Sequence, residues 1–346
     1  MVFVERSETF AALDLGTTNC RLLIARSGRE SWRVIDSFSR IVRLGEGLDS
    51  SGALSETAIS RTVDALAVCA TKLGNYRITR QRLVATEACR RASNCAEFMG
   101  RVRSATGLDL EVISTHEEAR LAVAGCAPLL DPGQRHALVF DIGGGSTEVS
   151  WVDIGLGRNN TVGTRIRGVV SLPFGVVSLT DRYRHRGATR TVYDEMVELV
   201  AAEFRCFDRD WKIGGRIADG QVQMLGSSGT VTTLAGMRAA LPRYDRGQVD
   251  GTYLDFSDIG RLCTSLVAMS SAEREAQPCI GPSRGDLMIA GCAILEAICL
   301  IWPVGRLRVA DRGVREGILA GLWDEARTRP WRRYRNRQEP APATVA

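Results

Sequence analysis

Residues 11–19 read AALDLGTTN, and residues 138–148 read LVFDIGGGSTE. In both stretches a short apolar run leads to an Asp and a turn of small residues, and apolar or β-branched residues then resume. This pattern predicts a strand, a tight turn and a returning strand. Small turn residues let backbone N–H groups approach an anion, and successive N–H groups form a nest for phosphate oxygens. The repeat therefore predicts two phosphate loops that face each other.

Asp14 and Asp141 end the two predicted strands, where a carboxylate would repel phosphate unless a cation lay between them. Asp is also a frequent turn former, so either residue alone is weak evidence. Glu148, directly after the second turn, is either an exposed strand residue or a carboxylate that orients metal or water. Because carboxylates and retained waters normally hold Mg²⁺ beside phosphates, these residues predict a site for Mg²⁺ or another divalent cation.

The chain has 346 residues, enough for two domains with a core each. Its apolar (45%) and charged (25%) fractions are those of an ordinary globular protein, and the net charge of +5 is compatible with an anionic ligand. Lys occurs only at Lys72 and Lys212, so nearly all the positive charge is Arg. Arg binds phosphate in a bidentate fork, although genomic base composition explains the same bias.

The ten cysteines are scattered without a Cys-x-x-Cys pair, a pattern typical of a reduced, cytoplasmic protein. The longest apolar stretch, 287–304, is interrupted by Glu296 and Pro303 and predicts a buried helix rather than a membrane span. The N-terminus does not resemble a signal peptide. We therefore expect a cytoplasmic protein that does not bind membranes.

A turn-rich stretch near residue 128 predicts a boundary between a first domain, 1–127, and a second domain, 128–326. Residues 31–43 predict a further strand pair, and apolar spacing predicts helices at 55–73, 192–207 and 256–268. Residues 327–346 are rich in Arg and predict a disordered tail. A solvated tail explains these charges better than RNA or polyphosphate contact, and no specific nucleic acid is expected.

Two adjacent acids, Glu117 and Glu118, follow a predicted strand and begin a predicted helix. Acids near a helix N-terminus complement the helix dipole, so their type alone is weak evidence of catalysis. Their position is stronger evidence, because they lie at the end of the first domain and just before the second phosphate loop. A carboxylate beside a cleft there can accept a proton from an attacking water.

A third turn of small residues, 226–230, lies between a predicted strand and a predicted helix, which suits anion binding at a helix N-terminus. Residues 86–94 predict the start of a helix that carries Arg90 and Asn94 one turn apart on one face. That face is either solvated or a clamp for anionic oxygens. Arg21, just after the first loop, allows the same two interpretations.

Together these segments resemble the exopolyphosphatase / guanosine pentaphosphate phosphohydrolase (Ppx/GppA) family, of the superfamily of actin, heat-shock chaperone ATPases and sugar kinases. The resemblance extends from about residue 10 to residue 322, in the short, two-domain form of the family. It rests on residues 14–21, 85–94, 113–121, 141–148, 171–175, 226–230, 284–291 and 315–317.

The resemblance implies an α/β fold of two ribonuclease-H-like (actin-like) domains around a central cleft, and a homodimer. It implies that Glu118 is the catalytic glutamate and Glu148 a second essential acid, with Mg²⁺ near Asp14, Asp141 and Glu148. The implied phosphate or substrate contacts are Thr17, Thr18, Asn19, Cys20, Arg21, Arg90, Asn94, Gly143, Gly144, Gly145, Ser146, Gly226, Ser227, Ser228, Gly229 and Thr230.

The implied reaction is release of terminal orthophosphate from inorganic polyphosphate by metal-assisted attack of water. The close alternative is removal of the 5′-terminal phosphate from guanosine pentaphosphate (pppGpp), or both activities. A different class is an actin-like or chaperone-type ATP-binding module, which the acid pair before the second loop argues against. A sugar kinase would need a sugar pocket and would phosphorylate an acceptor instead of releasing phosphate.

Overall fold

The computed structural model describes residues 8–29, 31–156, 162–187, 189–282 and 284–328, where the chain forms two β-sheets flanked by helices. The first sheet contains β1 Thr9–Leu15, β2 Asn19–Ser27, β3 Trp32–Ile41, β4 Arg80–Ala85 and β5 Glu111–Val112. The second contains β6 His136–Ile142, β7 Thr147–Leu156, β8 Val162–Leu172, β9 Val222–Ser227, β10 Tyr253–Asp255 and β11 Arg306–Ala310.

The α-helices cover both sheets. They are α1 Leu48–Ser51, α2 Glu56–Gly74, α3 Glu87–Arg91, α4 Cys95–Thr106, α5 Thr115–Cys126, α6 Val176–Tyr183, α7 Arg190–Trp211, α8 Ile213–Ala218, α9 Gly229–Arg238, α10 Arg246–Val249, α11 Phe256–Ala268, α12 Ser271–Glu275, α13 Gly285–Ile301 and α14 Val314–Thr328. The helices predicted at 55–73, 192–207 and 256–268 are confirmed as α2, α7 and α11. Most of the predicted tail lies outside the described residues.

The two sheets repeat one topology. The first has the order β3-β2-β1-β4-β5, with the β3-β2-β1 part antiparallel and β4 and β5 parallel to β1. The second has the order β8-β7-β6-β9-β11 with the same directions, and β10 is added at its edge. This repeat confirms the predicted α/β fold of two ribonuclease-H-like, actin-like halves.

The first strand of each half is buried on both faces, because successive side chains of a strand point to opposite sides. In β1, Ala11 and Leu13 contribute to one apolar cluster, and Phe10 and Ala12 contribute to another. Strand β6 is divided in the same way between two clusters of the second half. The central strands are therefore fixed on both sides, which holds the Asp near the end of each one in place.

The last helix, α14, returns to the first sheet. Its residues Ile318 and Leu319 pack in the same cluster as Phe10 and Ala12. Helix α14 also crosses α5 closely, since a Cβ added to Gly317 would lie 2.0 Å from the carbonyl oxygen of Leu121. The division of the chain at residue 127 stays a prediction, but the last helix covers the first half.

Two local predictions were wrong. Residues 31–43 contain one strand, β3, which pairs along the length of β2, because no residue in this stretch reverses the chain. The helix predicted from residue 86 ends at Arg91, and Ala92 is extended (φ −72°, ψ 128°). There the backbone N–H of Ser93 donates to the carbonyl of Gly52 (3.0 Å), so a tertiary hydrogen bond replaces a helical one.

The long apolar stretch of the sequence forms α13, and its side chains from Leu287 to Leu295 are buried in the second half. This confirms the predicted buried helix. In the parts of the chain that the structure describes, no helix combines the length and the apolar character needed to cross a bilayer.

Candidate active site

The two small-residue loops meet face to face, as the repeat predicted. A Cβ at Gly144 would lie 2.0 Å from Thr18 Oγ1 and 2.9 Å from its backbone nitrogen. A Cβ at Gly145 would lie 2.8 Å from Thr17 Oγ1. Only glycine permits this approach, because such contacts are far shorter than van der Waals distance. The loops therefore join the two halves at one point.

A cavity lies where the two loops meet, and residues from both halves line it. Thr17, Thr18 and Asn19 come from the first loop, and Gly143 to Ser146 come from the second. The same cavity is lined by Asp14, Arg21, Glu118, Asp141, Ser228, Gly229, Thr230 and Arg284. Most of the sequence-predicted site residues thus surround one space between the two halves.

Glu118 lies in the first turn of α5, where Ser114 caps the helix by accepting a hydrogen bond from the backbone N–H of Glu117 (3.2 Å). Its carboxylate faces the cavity and accepts a 2.7 Å hydrogen bond from Arg90 Nη1. Burial raises the pKa of Glu118 well above its ordinary value, and the neighbouring Glu148 adds to this, while Arg90 opposes it. A carboxylate with a raised pKa is a suitable proton acceptor.

Glu117 has the opposite environment, although it is adjacent in the sequence. Its carboxylate accepts hydrogen bonds from Arg120 (2.7 Å) and Arg82 (2.6 Å) on the outer side of α5. These bonds, with that of Arg120 the stronger, lower the pKa of Glu117 to about 2. Of the two acids in the sequence, only Glu118 is in the cavity.

Glu148 is buried beside the cavity and is held by hydroxyl groups. Ser171 Oγ donates to its Oε1 (2.8 Å), and the Ser146 hydroxyl forms a further hydrogen bond. Burial raises its pKa above the ordinary value of a glutamate. Across the β6–β7 hairpin, Glu148 is paired with Asp141, in the position that Arg21 occupies opposite Asp14 in the first hairpin.

Asp14 and Asp141 are half-buried and line the cavity. Burial raises the pKa of both, that of Asp141 to about 7, with a contribution from the nearby Glu118. Asp14 Oδ1 is buried and has no hydrogen-bond partner among the described residues. The two carboxylates repel each other, since the charge of Asp14 also raises the pKa of Asp141.

A divalent cation fits this pair of carboxylates. Among the described residues no group of three or more His, Cys, Asp and Glu side chains is spaced to enclose a metal ion. Mg²⁺ beside phosphates, however, is usually held by one or two carboxylates, by waters and by substrate oxygens. Asp14 and Asp141 have the chemistry of such a set, and the divalent cation itself, with Glu148 as a third ligand, stays a prediction.

The third turn is only partly in the cavity. Ser228 caps α9 by accepting a hydrogen bond from Val231 N, and Gly229 and Thr230 follow it at the helix N-terminus. Gly226 lies inside β9, where a Cβ would come 2.5 Å from the ring of Phe140. Ser227 donates to the carbonyl of Arg312 (2.6 Å). The structure thus brings the last three residues of the turn to the cavity, whereas Gly226 packs against Phe140 and Ser227 lines a smaller adjoining cavity.

Three other sequence-predicted contacts have different surroundings. Arg90 is bound to Glu118 and to Glu87 (2.7 Å each), so it holds acids of the site. The amide of Asn94 exchanges hydrogen bonds with the backbone of Leu54, at 2.9 and 3.0 Å, and it does not line the cavity. The Cys20 side chain is fully buried against Cys69, with 3.9 Å between the sulfur atoms.

Arg284 begins one of the segments that carry the family resemblance, and its side chain faces the cavity from the N-terminus of α13. A Cβ at Gly229 would lie 2.5 Å from its Nη2, so the guanidinium rests on the N-terminus of α9. Burial, and then the charge of Arg21, lower the pKa of Arg284. Two guanidinium groups therefore face one space, and an anion there would relieve their repulsion.

Glu87 and Arg315 were missed as site residues. Glu87 lines the cavity and binds Arg90, a helical neighbour three positions on, so the spacing of the two was a usable signal. Arg315 lies in a smaller cavity that shares Asp14, Arg21 and Asp141 with the main one. Arg315 lies there because α14 returns to the first half, and no local sequence pattern predicts that return.

Comparisons with known proteins agree with this geometry. The model of the Ppx/GppA phosphatase family matches residues 23–326. Exopolyphosphatase 2 of Mycobacterium tuberculosis is 29% identical over 334 residues, which cover 90% of this chain and 98% of the relative.

Solved structures show the same likeness. The crystal structure of the Aquifex aeolicus Ppx/GppA family member is 29% identical, with a TM-score of 0.72 over 91% of this chain and 97% of that one. An exopolyphosphatase from Cytophaga hutchinsonii is 23% identical and shares the fold, with a TM-score of 0.78 over 92% of this chain and 98% of that one. The chain therefore belongs to the Ppx/GppA phosphatase family, as its sequence predicted, and it is a phosphoanhydride hydrolase.

Proposed function

We propose that the protein is an exopolyphosphatase, which releases orthophosphate from the end of an inorganic polyphosphate chain. The observation that carries the proposal is the position of Glu118, a half-buried carboxylate with a raised pKa, in a cavity that two phosphate loops, Arg21 and Arg284 also line. The name of the mycobacterial relative supports polyphosphate as the substrate.

In this mechanism the backbone amides of the two loops and of the α9 N-terminus bind the oxygens of the terminal phosphoryl group. Arg21 and Arg284 balance the charge of the chain beyond it. A divalent cation near Asp14 and Asp141 would supply further neutralisation of the phosphate oxygens.

Glu118 accepts a proton from water as the water oxygen attacks the terminal phosphorus in line with the leaving group. The bond from that phosphorus to the bridging oxygen breaks, so the products are orthophosphate and a chain shorter by one phosphate. Arg90 Nη1 contacts Glu118 Oε2 and fixes the direction of the carboxylate during this step. Domain closure would exclude other water from the cavity.

The chain offers a matched test of this assignment in its two adjacent acids. We expect Glu118→Gln to lower kcat for phosphate release by about 10²–10⁴-fold with little change in substrate binding, the size typical of a lost general base. Glu117→Gln should retain nearly full turnover, since Glu117 is bound to Arg120 and Arg82 outside the cavity. Phosphate release by Glu118→Gln at the wild-type rate would refute the assignment.

Removal of the 5′-terminal phosphate from pppGpp is the second candidate. Ile41, Leu287 and Met288 form an apolar part of the cavity wall, which a purine base can use and an inorganic chain cannot. Both substrates end in the same phosphoanhydride, so the two loops serve either one. Competition between polyphosphate and pppGpp in a phosphate-release assay, with and without Mg²⁺, decides between them.

The same assay separates hydrolysis from the other class considered. An actin-like or chaperone-type module would bind ATP and respond with assembly or partner binding, and it would not depend on Glu118 for phosphate release. We also propose, from the family resemblance, that the protein is a cytoplasmic homodimer. Light scattering of the purified chain tests the dimer.

A further inference from the structure

An ion pair joins the two halves at the rim of the cavity. The guanidinium of Arg43 donates from Nη2 to both carboxylate oxygens of Asp286 (3.2 and 3.4 Å) and from Nη1 to Oδ2 (3.3 Å). Arg43 lies two residues after Ile41 in the first half, and Asp286 directly precedes Leu287 in the second. Ile41 and Leu287 line the cavity and the pair is partly exposed to solvent, so we infer that it lies at the mouth of the cavity.

Each partner is attached to a part of the phosphate-binding apparatus. The backbone N–H of Arg43 donates to the carbonyl of Thr18 in the first loop (3.0 Å). Asp286 lies two residues after Arg284, in a segment that Arg274 fixes by donating from Nε to the carbonyl of Gly285 (2.9 Å). The ion pair therefore connects the first loop with the segment that carries the cavity arginine.

The pair is only partly shielded from water, since 21% of the Arg43 side chain and 42% of the Asp286 side chain are exposed. Exposed ion pairs contribute little stability, so this one opens readily. A polyanion at the mouth of the cavity would be attracted by Arg43 and repelled by Asp286. Because the two charges cancel while they are paired, the pair itself offers no net attraction to a polyanion until it opens.

We propose that the Arg43–Asp286 pair is a gate that makes hydrolysis depend on the length of the substrate. This inference rests on the proposed phosphoanhydride hydrolysis in the cavity. A short chain lies wholly between the two loops and Arg284 and does not reach the pair. A longer chain extends through the mouth. There Arg43 leaves the carboxylate of Asp286 and binds a phosphate of the substrate, whereas the negative charge of Asp286 repels the substrate.

Arg43 and Asp286 therefore have opposite effects on the hydrolysis of long chains. A purely structural ion pair would not show this difference between its two residues. We expect Asp286→Asn to raise, by several-fold, the ratio of kcat/KM for polyphosphate of several hundred units to kcat/KM for tripolyphosphate. Arg43→Asn should lower the same ratio several-fold. Asn is the suitable replacement because Arg43 has a left-handed backbone (φ 45°), which Asn tolerates.

Glu56→Gln is the matched control, since it breaks a similar bidentate pair, with Arg101, inside the first half and away from the cavity. It should leave the ratio unchanged. Asp286→Glu keeps the charge and should restore a ratio near that of the wild type. Both kcat/KM values are measured on one preparation of each variant. An unfolded, inactive fraction therefore lowers both values equally and leaves their ratio unchanged.

A shift of the ratio in the same direction in Asp286→Asn and Arg43→Asn, or no shift in either, would overturn the gate. These results are distinct from a failure of the proposed function. If the wild-type protein released no phosphate from either chain length, the hydrolysis itself would be refuted. If the wild-type protein hydrolysed both chain lengths and the variants had the same ratio as the wild type, the proposed hydrolysis would be supported and the proposed gate would be refuted.

Discussion

Glu117 and Glu118 show how far residue types can be interpreted without a fold. The sequence identifies an acid pair at the start of a helix and a position near the cleft. Which acid faces the cavity depends on the rotation of α5 against its neighbours, and the structure assigns Glu118 to it. The contact of Arg90 with Glu118 was likewise hidden, because the two residues belong to different helices.

The opposite environments of the two acids predict opposite effects of pH on folding. Glu118 has a raised pKa, so the folded state favours its protonated form, and this contribution to stability is lost as the pH rises through the folded-state pKa. Glu118→Gln removes the carboxyl group, so the folded protein no longer loses stability when this group ionises. The variant should be more stable than the wild type by about 1–2 kcal/mol at pH 8.5, and by much less at pH 5.

Glu117 has a lowered pKa, so its contribution is present above the ordinary glutamate pKa and is lost as the pH falls toward about 2. Glu117→Gln should therefore lower the melting temperature at neutral pH. Thermal unfolding of both variants without divalent cations, at pH 5 and pH 8.5, measures these effects. A destabilised Glu118→Gln at pH 8.5 would contradict the assigned environment.

At the scale of elements, the sequence predicted the strands and loops that have a local signal. The two hairpins β1–β2 and β6–β7 follow from the repeated apolar run, Asp and small-residue turn. The break between α3 and α4 could not be predicted, because it depends on hydrogen bonds from Ser93 and Asn94 to the distant loop near Leu54. The crossing of α5 and α14 could not be predicted either, because these two helices are far apart in the chain.

That crossing gives a prediction with an internal control on one helix. Gly317→Ala places a Cβ 2.0 Å from the Leu121 carbonyl, so the helices must separate, and we expect a loss of about 2–4 kcal/mol of unfolding free energy. Gly321→Ala, one turn on, meets nothing within 4 Å and should stabilise by up to about 1 kcal/mol through helix propensity. Denaturant unfolding of both variants measures the difference, and equal effects would contradict the crossing.

At the scale of the whole molecule, the duplication in the sequence predicted two similar halves and a ligand site between them. It did not predict which half the end of the chain joins. The carboxylates of the site come from both halves, Asp14 from the first sheet and Asp141 from the second. A cation bound to both would therefore hold the halves together as well as neutralise phosphate.

Divalent cations should accordingly stabilise the folded protein, and more at pH 8 than at pH 5.5. The pKa of both Asp14 and Asp141 is raised, so protons compete with the metal at the lower pH. We expect Asp14→Asn to remove most of the increase in melting temperature caused by Mg²⁺, whereas Asp219→Asn, an exposed acid, should retain it. An equal increase in Asp14→Asn and the wild type would place the cation elsewhere.

The return of α14 to the first sheet has a consequence for biosynthesis. The apolar cluster on one face of β1 combines first-half residues, such as Leu121 and Ala122, with Ile318, Leu319 and their neighbours on that helix, near the C-terminal end of the described chain. During translation the N-terminal half thus emerges from the ribosome without the α14 part of this cluster, and it stays incomplete while some 200 further residues are made. The half that is synthesised second can therefore complete its core first, whereas domains usually fold in the order of their synthesis, the N-terminal one first.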